Sequence, residues 1–174
     1  MSIFDRFRKS TNENNEVQNH VNSAAEVILA PISGEVRDIK ECEDPVFAQE
    51  IVGRGALIIP SEGSLYSPVD GTVTMLAESG HAVGITSLAG AEVLIHVGLD
   101  TVELNGEPFT LKATKDQQVK KGDLLVEFDI DAIKAAGKST QSPVIITNPD
   151  KFDIKILKSG QVNHGDDLIE VKEI

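Results

Sequence analysis

Val93-Leu94-Ile95-His96-Val97-Gly98-Leu99 is the stretch whose reading decides the fold. It is short, apolar and rich in β-branched residues, so it predicts a strand. Alternation sends Val93, Ile95, Val97 and Leu99 to one face, fit for a core. Leu94, His96 and Gly98 go to the other. Imidazole is both a good nucleophile and ionisable near neutral pH, so His96 on this apolar run points to chemistry on a surface that another molecule covers. Gly98 weakens the strand, but it predicts space beside the ring and close approach of another backbone.

His81 opens a second strand-like run, Ala82-Val83-Gly84-Ile85. The Leu88-Ala89-Gly90 loop separates it from the first, a hairpin pattern that predicts His81 near His96. The exact pairing depends on register. A second ring there could orient the first, donate to a transferring phosphoryl oxygen, or share a metal. A lone histidine in a strand is also a common hydrogen-bonded structural residue. His20, in a polar segment, and His164, in a turn, take that plainer reading.

Similar runs recur along the chain: Val27–Leu29, Ala56–Ile59, Gly71–Leu76, Leu124–Asp129, Val144–Thr147 and Leu168–Val171. Gly, Pro, Asp and Asn separate them, which predicts an all-β sandwich or barrel. One helix is predicted over Ala132–Ala136, capped by Asp129 or Asp131 and ended by Gly137. A weak internal repeat is visible. Ala30-Pro31-Ile32-Ser33-Gly34-Glu35-Val36 echoes Ser67-Pro68-Val69-Asp70-Gly71-Thr72-Val73. Val119-Lys120-Lys121-Gly122-Asp123-Leu124 echoes Val162-Asn163-His164-Gly165-Asp166-Asp167-Leu168. Two copies of each point to a core of two related halves. Chance recurrence of Pro-x-x-Gly and Gly-Asp turns is the plainer account.

Residues 1–22 differ from the rest, so the domain is read as residues 23–174. Ile3, Phe4 and Phe7 share one side of a short helix, with Arg6, Arg8 and Lys9 beside them. Such a stripe can rest on an anionic membrane surface, or it is a frayed terminus. Ser10–Glu16 reads as a polar, disordered linker. The 174 residues carry a net charge of -12, which argues against nucleic acid and suits basic protein partners. One cysteine, Cys42, excludes an internal disulfide and gives a cytoplasmic reading. No apolar run approaches the ~20 residues that span a bilayer, and there is no signal-peptide core.

Gly90-Ala91-Glu92-Val93-Leu94-Ile95-His96-Val97-Gly98-Leu99-Asp100-Thr101-Val102-Glu103-Leu104 closely resembles the phosphorylation-site signature of glucose-type enzyme IIA proteins of the bacterial phosphoenolpyruvate-dependent sugar phosphotransferase system. Ser79-Gly80-His81-Ala82 resembles their second histidine motif. Ala30–Glu35, Asp44–Ala48, Ile51–Gly53, Ser67–Thr72 and Ser142–Val144 resemble further family segments in the family's order. The resemblance covers about residues 23–174, and residues 1–22 look like the amphipathic tail of stand-alone members.

The resemblance implies a flattened, duplicated antiparallel β-sandwich with at most one or two short helices. It implies that His96, through Nε2, accepts a phosphoryl group from the phosphocarrier HPr and passes it to a cysteine of an enzyme IIB domain of a IIB/IIC sugar permease. His81 would assist, with Ser79 orienting its ring. Val46, Phe47, Ile51, Val52, Val83 and Leu94 match an apolar docking patch around His96 and Gly98, rimmed by Asp44 and Asp100. The rim would meet arginines on a partner. No cofactor is implied for the transfer. Regulatory contacts with permeases or metabolic enzymes are implied for some members, and in such a complex His81 and His96 would help ligate zinc.

Cys42 sits in Glu41-Cys42-Glu43-Asp44, whose charges raise a thiol pKa rather than activate it. It is read as incidental, and the Cys-x-Thr-Arg-Leu-type pattern of a fused IIB is absent. Two rival readings remain. A zinc hydrolase of related fold needs about three protein ligands, and no His-x-His pair follows His96. A biotin or lipoate carrier needs a lysine at a Met-Lys-Met or Asp-Lys-Ala hairpin tip, which is missing.

Overall fold

The computed structural model describes residues 24–174. The amphipathic segment and polar linker read in residues 1–22 lie outside the described residues. Fourteen strands make three antiparallel sheets: β1 (Glu26–Leu29), β2 (Gly34–Asp38), β3 (Arg54–Pro60), β4 (Ser64–Tyr66), β5 (Gly71–Leu76), β6 (Ala82–Ser87), β7 (Glu92–His96), β8 (Phe109–Leu111), β9 (Gln118–Val119), β10 (Leu124–Phe128), β11 (Ser142–Ile146), β12 (Phe152–Ile156), β13 (Gly160–Val162) and β14 (Asp167–Glu173). The large sheet runs β13-β2-β3-β11-β7-β6-β5-β9. The small sheets run β1-β14-β12 and β4-β10-β8.

Two short α-helices and three 3-10 turns complete the fold of the described residues. α1 (Pro45–Ala48) starts on the Asp44 side chain, which accepts from the Val46 N–H at 2.9 Å, with proline at its first position. α2 (Ile130–Ala135) is capped by Asp129, which accepts from the Ala132 N–H at 3.0 Å. Gly137 follows it with a φ of 77°.

The internal repeat is structural. Leu29 N–H donates to the Pro68 carbonyl at 3.0 Å, and Tyr66 N–H returns the bond to Pro31 at 2.9 Å. Ser33 and Asp70 do equal work in the two copies. The Ser33 hydroxyl accepts from His164 N–H, and the Asp70 carboxylate accepts from Lys121 N–H, both at 2.9 Å. Gly34 and Gly71 are needed because a Cβ on either would stand 2.1 Å from a carbonyl oxygen of the neighbouring strand, Ile59 or Thr86.

One half is therefore β1–β3 with β11–β14, and the other is β4–β10 inserted between them. The halves meet at the β7–β11 pair, where Ile95 faces Val144. Gly34 faces Pro60 as Gly71 faces Ser87, so Arg54 is the counterpart of His81. Ser142 faces Ile58 as Val93 faces Ile85, so Ile145 is the counterpart of His96.

The main core lies between the large sheet and the two small ones. Ile58, Val83, Ile85, Val93, Ile95, Val97, Val144 and Ile146 meet Ile28, Leu65, Leu125, Val126, Leu168 and Ile169 there. Each such side chain, once removed from water, contributes about 1.5–3 kcal/mol. A second, smaller cluster forms on the opposite face. There Ile39, Cys42 and Phe47, from the connection between β2 and β3, cover Leu57, Ile145 and Leu99.

Leu99 corrects the alternation read from sequence. β7 ends at His96, and Gly98 (φ 74°) and Asp100 (φ 56°) turn the chain left-handed, so Leu99 joins the smaller cluster instead of the face of Val93 and Ile95.

Candidate functional site

His96 is the last residue of β7, on the face away from the main core. β6 pairs with β7 so that Ala82 faces His96. Strict alternation from Ala82 would turn His81 toward the Ile95 side. The turn before β6 prevents this. Ala77 N–H donates to the Ala82 carbonyl at 3.0 Å, Gly80 N–H to Ala77 at 2.9 Å, and Val97 N–H to the His81 carbonyl at 2.7 Å. The two imidazoles meet edge-on, with ring centroids 5.2 Å apart and planes at 70°. The predicted proximity of the histidines is therefore met by this turn as much as by strand pairing.

Hydrogen bonds define what each ring can do. His96 Nδ1 lies 2.6 Å from the Gly98 carbonyl oxygen. A carbonyl only accepts, so Nδ1 carries the proton and Nε2 of the neutral ring carries the lone pair. His81 Nδ1 lies 2.6 Å from the Ser79 hydroxyl. A hydroxyl donating there leaves Nε2–H of His81 as a donor. Burial pushes His96 below the usual imidazole pKa, while the Gly98 carbonyl, Asp44 and Asp100 pull it back up. Burial, then the charge of His96, pushes His81 down as well. Both shifts favour the neutral rings near neutral pH, and the neutral His96 keeps a nucleophilic Nε2.

Gly98 does something other than the sequence predicted. It is buried, and it makes no room for a partner. A Cβ on it would stand 2.4 Å from Thr101 Cγ2 and 2.9 Å from the Ser139 carbonyl oxygen, so the close approach is by its own chain. Ser142 Oγ accepts from Gly98 N–H at 3.3 Å and donates to the Thr140 carbonyl at 2.9 Å. Thr101 Oγ1 donates to the Val97 carbonyl at 2.6 Å, and Leu99 N–H donates to Ser139 at 3.0 Å. These bonds hold the carbonyl that orients His96. Sequence reading missed Thr101 and Ser142 in this role. Their signal was slight: one hydroxyl just past the glycine turn and one just before Pro143, each among other polar residues.

The apolar patch is only partly as expected. Ile51 is 68% exposed and Val46 41%, both free to meet a partner. Val52 and Leu94 are half-buried beside them. Phe47 is buried and touches His96, with ring centroids 5.5 Å apart, so it supports the imidazole from below. Val83 is fully buried in the main core, because it pairs with Ile95 on the inward face of β6; it cannot dock a partner. Asp100 is exposed and its side chain caps nothing. Asp44 is half-buried and engaged as the α1 cap. With Glu43, Pro45, Leu99, Gly137, Lys138 and Ser139 the two aspartates line a hollow of about 430 Å³. Lys138, at its edge, is paired with Glu103. Cys42 is buried, and its thiol pKa is raised by burial; a hydrogen bond with the Asp44 backbone draws it partly back, and the charges of Asp44 and Glu43 push it up again.

No cluster of three or more His, Cys, Asp or Glu side chains placed to hold a metal occurs among the described residues. His81 and His96 supply two nitrogens, fewer than the usual three protein ligands of a catalytic zinc. No helix among the described residues is long and apolar enough to cross a membrane.

Paired imidazoles on an open face, beside the exposed Ile51 and Val46, define a class of open histidine sites rather than enclosed cavities. Comparison with known proteins gives that class its family. The profile of the phosphoenolpyruvate-dependent sugar phosphotransferase system EIIA 1 family matches residues 26–152. The chain belongs to this family, and it is a phosphotransferase component of the sugar-transport type.

A beta-glucoside-specific EIIBCA component of that system from Halalkalibacterium halodurans is 45% identical over 166 residues, covering 93% of this chain. The chain spans only 26% of that relative's length. The glucose permease IIA from Mycoplasma capricolum superposes with a TM-score of 0.81 at 36% identity, covering 84% of this chain and 96% of that one. The expected flattened antiparallel sandwich with two short helices is thus the family's fold. Nothing in these matches supports the zinc-hydrolase or biotin and lipoate readings.

Proposed function

We propose that the chain is a phosphocarrier in which His96 receives a phosphoryl group from phospho-HPr and donates it to a cysteine of an enzyme IIB domain. The observation that carries this reading is the 2.6 Å bond from His96 Nδ1–H to the Gly98 carbonyl, which leaves Nε2 as the nucleophile on an exposed apolar face. In the first step the Nε2 lone pair attacks phosphorus. The bond from phosphorus to the donor breaks, and its electron pair stays on the donor. In the second step a thiolate attacks phosphorus and the Nε2 lone pair is restored. A loose phosphoryl transition state needs alignment and charge stabilisation above all. His81 Nε2–H serves that need by donating to a phosphoryl oxygen while Ser79 fixes its ring.

Ile51, Val46, Val52 and Leu94 form the apolar docking face, and Asp100 and Asp44 meet basic groups on its rim. One patch thus serves both donor and acceptor, at the cytoplasmic face of a IIB/IIC permease. Regulatory contacts with permeases or metabolic enzymes use the same patch. A zinc ion held there would take His81 and His96 as two of about four ligands and need the others from the partner. Residues 1–22 are proposed to add contact with an anionic membrane.

With phosphoenolpyruvate, enzyme I and HPr, the protein gains one acid-labile, base-stable phosphate. His96→Ala removes it. Full labelling of that variant overturns the assignment.

A further inference from the structure

The hollow beside His81, lined by Ser79, His81, Phe109 and Leu111 among others, has a counterpart in the other half of the sandwich. There a groove of about 450 Å³ is lined by Arg54, Ile154 and Ile156. Arg54 is the counterpart of His81. Ile154 and Ile156 are the counterparts of Phe109 and Leu111, because Ile156 faces Ile169 and Leu111 faces Val126 on the paired strands β14 and β10. The duplicated backbone thus builds the same concavity twice and fills it with different chemistry.

Its chemistry is cationic. Arg37, Lys40, Arg54 and Lys158 line the groove, against the carboxylates of Asp38 and Glu50. Arg37 and Arg54 are both arginines of the described residues, in a chain whose net charge is -12. Arg37 is held by Glu35 through two bonds of 3.1 Å, and Arg54 reaches Glu50 only at 3.9 Å across exposed surface. Lys40 and Lys158 take part in none of the ion pairs among the described residues. Asp38 is committed to the Lys40 backbone N–H at 3.0 Å. Three cations are therefore available around one apolar wall, where the half-buried Ile154 and exposed Ile156 stand.

We propose that this groove binds a small phosphate monoester. The volume lies in the range of small-molecule sites. A guanidinium fork with two ammonium groups matches a dianionic phosphate, which no diffuse attraction to so acidic a protein would gather. Ile154 and Ile156 cover the carbon skeleton of the ester. The site is separate from His96 and does not depend on the phosphocarrier reading.

The test uses the full chain, unphosphorylated, in an amide NMR titration with glucose 6-phosphate at constant ionic strength. Glucose and chloride serve as controls, and vesicles containing phosphatidic acid form a second arm. Saturable shifts at Lys40, Arg54 and Ile156–Ser159 are expected with the monoester and not with either control. Saturation of these shifts by the soluble ester, or by the vesicles in a way that the Arg54→Gln, Lys158→Gln variant loses, supports the site and identifies its source; vesicle binding that the variant keeps belongs to residues 1–22. In the Arg54→Gln, Lys158→Gln double variant the dissociation constant rises about tenfold or more, while labelling of His96 is unchanged. The proposal is overturned by shifts that fail to saturate in the millimolar range, by equal shifts with chloride, by shifts centred on His81 and His96, or by unchanged affinity in the double variant.

Discussion

In one half of the molecule His96 ends its strand at the position that Ile145 fills in the other half, and His81 stands where the other half has Arg54. The strand pairings around them match, apart from a bulge in β5 that β2 lacks. The connections do not. Between β5 and β6 the chain needs only residues 77–81, while between β2 and β3 it runs from 39 to 53. The long connection folds over Ile145 and buries it under Ile39, Cys42 and Phe47. The short one leaves the His96 face open and carries His81 to its edge. A repeated scaffold thus yields one reactive face because one loop is long enough to close over its own half. The long loop then serves the other half, since its Phe47 supports His96 and its Ile51 and Val46 extend the exposed face.

Gly98→Ala breaks this contrast most severely. The added Cβ meets Thr101 Cγ2 at 2.4 Å and the Ser139 carbonyl at 2.9 Å, at a φ of 74° that a side chain resists. The expected cost is at least about 2 kcal/mol of stability. With the Gly98 carbonyl displaced, His96 loses the acceptor that selects its tautomer, and phosphorylation falls by roughly a hundredfold or more. Urea unfolding together with a labelling time course reads both effects. Wild-type stability and labelling in this variant would show that the turn does not control the ring.

His81→Gln separates the two histidines from each other. His96 keeps its own acceptor, so labelling by phospho-HPr continues. Onward transfer to a IIB domain slows by roughly ten- to a hundredfold, the worth of one aligned donor at a transferring phosphoryl group. Single-turnover transfer from the labelled protein measures it. Equal slowing of both steps would make the rings a unit rather than a carrier and its assistant.

Acidification acts on the pair less strongly. Burial holds both rings below the ordinary imidazole value of 6.5. Acceptance is therefore level from pH 8 to below 6.5 and falls only as the pH drops through the lowered His96 value, approaching tenfold per pH unit once Nε2 is protonated. Stability moves the same way. Below about 6.5 the unfolded chain binds protons that the folded rings resist, so the folded state loses stability as pH falls. Ring proton shifts followed against pH give the two midpoints, and a His96 midpoint above 6.5 would reverse the sign.

Much of this was legible in the chain. The apolar alternation of Val93, Ile95 and Val97, the turns at Pro31 and Pro68, and the Asp129 cap each rest on local physics. So does the Ser79–His81 contact, two residues apart. What escaped depends on events distant in sequence. Leu99 changes face because Gly98 turns left-handed, and that glycine is required by Ser139, 41 residues away. Val83 resembles a docking residue by its motif, yet its face is set by pairing with Ile95. Helix α1 is too short to show periodicity, and its Asp44-Pro45 start passed unread as a cap.

Ser79→Ala gives the smallest effect and the finest division of the site. Its hydroxyl lies 2.6 Å from His81 Nδ1 and is the hydrogen-bonding partner the structure gives that ring. Without it the Ala77–Ala82 turn still places the His81 backbone, because its bonds are main-chain. The ring stays within reach of His96, but its tautomer is no longer selected, and the fraction with Nε2–H falls. A loss of a few-fold in onward transfer follows, about the worth of a neutral hydrogen bond. Acceptance from phospho-HPr is unchanged. Ser79→Thr restores the hydroxyl and therefore the rate, which a purely steric role for Ser79 would not predict. Nitrogen shifts of the His81 ring at high pH report the tautomer directly. If the alanine variant keeps the wild-type tautomer and rate, the turn alone orients His81, and the difference from Arg54 in the other half reduces to the imidazole itself.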